Sequence, residues 1–253
     1  MTIVSPGPSF SPKDGGRISE VAHALEAMRR DRPPFIIGIT GSVAAGKSAF
    51  AAALASAFST HAGRSSVEIA STDGFLLANQ ILDGRGLTLR KGYPESFDVV
   101  AFGEALRLAR VGPVTFPGYS HATYDVDPRL DHRIDSPAVL IVEGLGLGPH
   151  RDAIDALIYL DADEADLEAW FIARFLRLWE DAEHDAASFY ARFRGLDRAG
   201  AGQLAKSVWT SINLPNLREH ISPQRDLADL VVRKGPDHEI VGVLERHGQA
   251  ARL

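Results

Sequence analysis

The chain has 253 residues, 45% hydrophobic and 24% charged, with a net charge of −6 and no cysteine. This is the composition of an ordinary soluble globular protein, and the acidic balance gives no electrostatic reason to expect nucleic acid as a partner. The absence of cysteine excludes disulfides, thiolate metal sites and cysteine nucleophiles, while the lack of a membrane-length apolar run or a signal-peptide core points to a cytoplasmic protein.

In chain order, residues 1–17 are rich in Ser, Pro and Gly and read as a flexible tail, with 18–253 as a single domain. Ile18, Val21, Ala22, Leu25 and Met28 fall at helical spacing and predict an amphipathic helix over 18–30, packed on the edge of the main sheet. Phe35 to Thr40 is an apolar, β-branched run behind Pro33-Pro34, which predicts a buried strand. Next comes Gly41-Ser42-Val43-Ala44-Ala45-Gly46-Lys47-Ser48, a complete match to G-x-x-x-x-G-K-[ST]. Phe50, Leu54 and Phe58, four apart in an alanine-rich segment, predict the helix this motif needs after its loop. In this context the motif predicts a nucleoside triphosphate site. Its backbone N–H groups turn inward on the phosphates, Lys47 reaches the β- and γ-phosphates, and Ser48 is placed to ligate Mg²⁺.

Val67 to Thr72 predicts a second strand ending in Asp73-Gly74, and Val99 to Arg110 a helix stopped by Gly112-Pro113. Ala138 to Val142 predicts a buried strand ending in Glu143, Ala156 to Leu160 another ending in Asp161, and Ala228 to Val232 the last core strand. Between Ala165 and Gly202 lies a charged, aromatic helical region. Its interleaved Arg174, Arg177, Arg192, Arg194 and Arg198 suggest a lid that closes on phosphate. Strands too apolar to have a wet face, alternating with helices, predict a three-layer α/β/α fold with a mainly parallel sheet. Ligands of such sheets sit at the carboxyl ends of the strands, where Asp73, Glu143 and Asp161 are expected.

The motif alone does not say what receives the phosphate. Asp73 at a strand end can take a proton from an attacking hydroxyl, orient that hydroxyl, or reach the metal through water; as an Asp-Gly pair it can equally be a plain turn. Gly118 to Asp125 sets Tyr119, Ser120, His121, Thr123 and Tyr124 in an irregular segment suited to a small polar molecule. Glu143, closing an apolar strand, is a metal-side acid in this arrangement.

With these motifs in place the chain resembles the bacterial type I pantothenate kinases, which belong with uridine kinase and phosphoribulokinase among the P-loop kinases. The resemblance runs from about Phe35 to about Val243 and is carried by ordered motifs. They are Gly41 to Ser48, Ser71 to Phe75 with Asn79, Arg90 to Asp98, Tyr119 to His121 with Tyr124-Asp125, Ile141 to Leu145, Trp170 to Phe175, Trp209 with Ile212 to Leu217, and His238. It implies ATP and Mg²⁺ as cofactors, with Gly41 through Ser48 and Ala49 around the phosphates, Ser48 and Glu143 on the metal side, and His238 close to the adenine. It makes Asp73 the base, with Lys47 and Arg174 on the transferred phosphoryl. Tyr119, His121, Phe171, Arg174 and Asn216 then surround pantothenate. It further implies feedback inhibition by coenzyme A, and a homodimer is allowed for.

Some positions depart from the family pattern. Phe171, Phe189 and Phe193 stand where tyrosine is usual, Leu178 replaces an aromatic tied to coenzyme A binding, Gly146 replaces an asparagine, and the segment after Glu143 is short. The expected activity is transfer of the γ-phosphoryl of Mg·ATP to a hydroxyl of a small polar molecule, pantothenate first. The alternatives are a nucleoside, sugar or glycerate acceptor, or a regulatory ATPase. No N-K-x-D segment supports guanine recognition.

Overall fold

The computed structural model describes residues 14–29, 33–61 and 66–246. Helix α1 (Asp14–Met28) leads into β1 (Phe35–Gly41), the glycine loop, α2 (Lys47–His61) and β2 (Val67–Ser71). Then come α3 (Asn79–Gly84), α4 (Val99–Ala109) and the short strands β3 (Val114–Phe116), β4 (Tyr119–Ser120), β5 (Asp125–Val126) and β6 (His132–Ile134). Strands β7 (Val139–Glu143) and β8 (Ala156–Asp161) return to the core, helices α5 (Glu164–Asp181) and α6 (Arg198–Val208) follow, and β9 (Leu230–Lys234) and β10 (Ile240–Glu245) end the described chain.

The main sheet has the order β10-β9-β8-β1-β7-β2, parallel throughout except for the β9–β10 hairpin. Strand β1 lies inside it and is buried at every position, as an apolar run with no polar alternation must be. Helix α2 packs on β1, β2 and β7, and the turn Ser222–Leu227 packs on β1 and β8. The expected mainly parallel α/β architecture is therefore the observed one. Among the described residues no helix is long and apolar enough to cross a membrane.

Two boundaries differ from expectation. Helix α1 already begins at Asp14, inside the stretch assigned to the tail, because the buried Asp14 carboxylate accepts the Ile240 N–H at 2.8 Å. The rest of that tail, and Arg30, lie outside the described residues. The Ala228 strand is shifted to Leu230–Lys234; it is the last core strand, with β10 paired beyond it. With only Ile240 of its six residues buried, β10 carries the pattern of an edge rather than a core strand.

Most buried apolar residues form one cluster around the sheet. A second, smaller one joins Phe175 and Ala182 to Tyr190, Ala201 and Ala205, all but Ala205 within the aromatic region expected between 165 and 202. Helix α5 touches both, with Leu167 and Trp170 in the first and Phe175 in the second. After α6 the helix widens into two π-turns, Trp209–Asn213 and Leu217–Ile221, flanking Leu214–Asn216. Pro215 has no N–H to give to a regular helical ladder, and the wide turns accommodate it.

Candidate active site

The glycine loop leaves β1 and ends where α2 begins at Lys47, so the positive end of the helix dipole and its unpaired N–H groups face the loop. Lys47 folds back over its own loop, its Nζ donating to the carbonyls of Gly41 at 3.2 Å and Ser42 at 2.9 Å. Desolvation lowers its ammonium below the ordinary value, against the pull of Glu143 and Asp73. Ala44 holds a left-handed φ of 62°, a strained backbone of the kind that gathers at ligand sites.

Strand order then decides the geometry. Because β7 lies between β1 and β2, in register Ile39 to Glu143 to Ser71, the acid at the end of β7 sits between the loop and Asp73. The Ser48 hydroxyl donates to Glu143 Oε1 at 2.9 Å. Burial raises the Glu143 carboxyl, with the neighbouring Asp73 acting in the same direction. Asp73 opens the short turn Thr72–Phe75, where its N–H is capped by Ser71 Oγ at 3.2 Å. Its Oδ2 lies 3.9 Å from His121 Nε2. Gly144, at φ +143°, has no alternative: a Cβ there would lie 1.9 Å from Thr72 Oγ1. Gly146, at φ +75°, explains one departure from the family pattern, since asparagine is the other residue that tolerates the left-handed region.

These groups fit magnesium bound through few protein ligands. Ser48 Oγ and the Glu143 carboxylate are adjacent, and no cluster of three or more His, Cys, Asp or Glu able to hold a metal occurs among the described residues. Magnesium keeps much of its water and takes one or two carboxylates plus phosphate oxygens, so a crowded protein cage is not required. Nearby, the hydroxyls of Thr40, Ser42 and Thr72 are buried without a hydrogen-bond partner among the described residues.

Across from the loop stands the β4–β5 hairpin. The Tyr119 ring packs edge-on against His121 at 5.2 Å and against Tyr124 at 6.1 Å, and burial drives both phenols well above the usual tyrosine range. Lys91 locks this hairpin, donating to Asn79 Oδ1 and to the Tyr124 carbonyl, both at 2.6 Å, with its charge over both tyrosine rings. Asn216 is buried, gives its Nδ2 to the Gly92 carbonyl at 2.9 Å and keeps an Oδ1 with no partner among the described residues. Phe171 packs on Phe175 and Trp209.

Of the arginines read as a lid, Arg174 projects its charge onto Lys47, Glu143, His121, Tyr124 and Tyr190. Three others serve packing within the 165–202 region itself. Arg194 binds the Ala182 carbonyl, Arg192 lies over the Phe189 ring, and Arg198 pairs with Glu180. Asp161 also departs from expectation: although it ends β8, it is tied up by Arg225 at 3.3 Å and Arg233 at 3.1 Å. His238, at the β9–β10 turn, stacks on Trp170 with centroids 3.8 Å apart. Reading the sequence alone gave no role to Lys91 or to Lys234. The available signal is a lysine inside the Arg90–Asp98 motif in one case, and in the other a lysine ending an apolar strand.

Comparison with known proteins places the chain in a family. The profile of the phosphoribulokinase / uridine kinase family matches residues 36–189. The chain is 43% identical to the pantothenate kinase of Parvibaculum lavamentivorans over 86% of its length and 71% of that protein's. It is 39% identical to that of Vibrio cholerae, over 89% and 77% respectively. Among solved structures, D-glycerate 3-kinase from Cryptococcus neoformans superposes with a TM-score of 0.59 at 13% identity, covering 92% of this chain and 98% of that one, a likeness of fold alone.

Proposed function

The chain belongs to the phosphoribulokinase / uridine kinase family and, within it, to the pantothenate kinases, and on that premise we propose that it phosphorylates pantothenate with ATP. The observation that carries the reading is the order across the sheet of loop, Glu143 and Asp73, which supports roles for Glu143 on the metal side and for Asp73 as the proton acceptor beyond it. Residues 41–49 cradle the triphosphate. Ser48 and Glu143 would hold Mg²⁺, which supplies charge neutralisation on the phosphate oxygens. Asp73 accepts the proton of the attacking hydroxyl, and His121 at 3.9 Å orients that carboxylate and its substrate. Lys47 and Arg174 stabilise charge on the transferred phosphoryl, as a loose transition state demands positioning and electrostatics rather than covalent chemistry.

Tyr119, Phe171 and Asn216 form the acceptor wall in this reading. The unpartnered Asn216 Oδ1 is an acceptor suited to a hydroxyl or amide N–H of the substrate. His238, backed by Trp170, takes the nucleobase side. We place residues 14–246 in one catalytic unit, with coenzyme A as a feedback inhibitor competing at the phosphate site and a homodimer as the assembly. The test is a screen of purified protein with Mg·ATP over pantothenate, pantetheine, uridine, sugars and glycerate, reading ADP formation. Pantothenate should be turned over, with KM raised about tenfold to a hundredfold for one or two hydroxyls lost at Phe171, Phe189 and Phe193. No turnover of pantothenate at millimolar concentration beside brisk phosphorylation of another alcohol would overturn the acceptor and leave the kinase. ATP hydrolysis indifferent to every alcohol would overturn both.

A further inference from the structure

Beneath the glycine loop lies a charge that the roles above leave unused. Lys234, the last residue of β9, is 1% exposed, and an ammonium so buried persists only where its donors are met. Its Nζ donates to the Ala45 carbonyl at 2.9 Å, lies 3.5 Å from His238 Nδ1 and stands 5.5 Å from the centre of the Trp170 ring. Three elements meet on this one side chain: the phosphate loop, helix α5 and the β9–β10 turn.

Each contact has a consequence for a nucleotide. A trans peptide points its C=O and the following N–H in opposite directions, so drawing the Ala45 carbonyl down onto Lys234 turns the Gly46 N–H the other way, toward the concave side of the loop. At the turn, His238 holds a left-handed φ of 65°, its ring is stacked on Trp170 at 22°, and the Trp170 indole donates to the Pro236 carbonyl at 2.8 Å. The ring is thus gripped on one face by tryptophan and at Nδ1 by the ammonium.

We propose that Lys234 is a positioning residue of the nucleotide site, setting the Ala45–Gly46 peptide for the phosphates and the His238 ring for the nucleobase. The proposal rests on the nucleotide reading given above. Its charge environment is consistent with it. Burial brings Lys234 down to about 8, with Asp14 of α1 and Glu239 of the turn opposing, and burial with the Lys234 charge brings His238 down to about 4, with Asp237 opposing. At neutral pH the ammonium is charged and the imidazole is not, which is the pairing that lets Nδ1 accept.

The experiment compares the wild type with Lys234→Met, which keeps the stem and removes the charge, and Lys234→Arg, which keeps the charge. Magnesium-ADP affinity is measured by calorimetry, kcat and both KM values by ADP release, and the His238 ring by NMR titration. Lys234→Met should weaken ADP and raise the ATP KM by about tenfold, the equivalent of one strong polar contact, with kcat and the acceptor KM within about twofold. The His238 midpoint should move up from about 4, and Lys234→Arg should restore part of both effects. Unchanged ADP affinity, or a fixed His238 midpoint, overturns the proposal; so does a fall in kcat at constant ATP KM. Should Lys234→Met fail to fold, the wild type decides. A His238 midpoint near the ordinary 6.5, or ring signals that ignore added ADP, overturns it, whereas a low midpoint with an ADP-induced shift supports it. A wild type that binds no ADP condemns the nucleotide reading itself, not the role of Lys234 within it.

Discussion

Phe50, Leu54 and Phe58 of α2 are wholly buried against a parallel sheet, whereas the aromatic side chains of α5 and the 189–193 turn gather around a much smaller set of buried positions. The two regions have unequal support. A loop rooted on the large cluster is held in place before any ligand arrives, which is what electrostatic stabilisation of a phosphoryl needs. A wall resting on a small satellite cluster opens at lower free energy, which suits an element that must admit and release a substrate. Helix α5 joins them, and its Arg174 and Phe171 sit between Trp170 in one cluster and Phe175 in the other. The seam between the two clusters therefore runs through α5.

The sharpest test of this division is at Asp73, which we propose acts on the acceptor from the sheet side. Asp73→Asn should lower turnover by about 10² to 10⁴-fold, the range for loss of a general base, with affinity for a non-hydrolysable ATP analogue unchanged in calorimetry. A collapse of nucleotide affinity instead would make Asp73 part of the nucleotide half. Lys47→Ala probes that half directly and should cost about 10²-fold or more in kcat while the thermal midpoint holds, because the ammonium carries charge and little packing. Activity within a few-fold of the parent would break the phosphate-loop assignment.

The contrast in packing predicts a smaller and more local effect. Phe175→Ala removes a ring that contacts Phe171, Tyr190 and Phe193. It should cost about 3 kcal/mol or more of packing, seen as faster amide exchange across 165–202 with the sheet amides unaltered. The acceptor KM should rise while the ATP KM stays within about twofold; equal damage to both would mean the clusters are one unit. The smallest effect concerns regulation. Leu178 packs against the second cluster without offering a ring. Leu178→Phe should therefore tighten coenzyme A inhibition by a few-fold, about 0.5 to 1.5 kcal/mol for one aromatic contact, in an inhibition titration at fixed ATP. An unchanged inhibition constant would remove that position from any coenzyme A site.

Local sequence determined the strand, loop and helix around Gly41 to Ser48, because each signal there acts within a few residues: β-branched apolar runs, glycines and four-residue spacing. It also marked Asp73, Glu143, Tyr119, His121 and Asn216 as chemistry-bearing, through motifs whose order along the chain is specific. What it could not supply was how distant segments meet. Asp73 and Glu143 are 70 residues apart in the chain, and only the placement of β7 between β1 and β2 sets one acid beyond the other. Asp161 is the same kind of strand-end acid by sequence, yet Arg225 and Arg233, brought to it by the turn before β9 and by β9 itself, make it a structural ion pair. Of the arginines between 165 and 202, composition could not separate Arg174, whose charge acts on Lys47 and Glu143, from Arg192, Arg194 and Arg198, which pack within their own region, because the helix phase relative to a remote loop is fixed only by packing. Lys234 is the plainest case. Nothing within ten residues of it hints at the Ala45 carbonyl, and a buried charge takes its meaning from the partner that tertiary structure delivers.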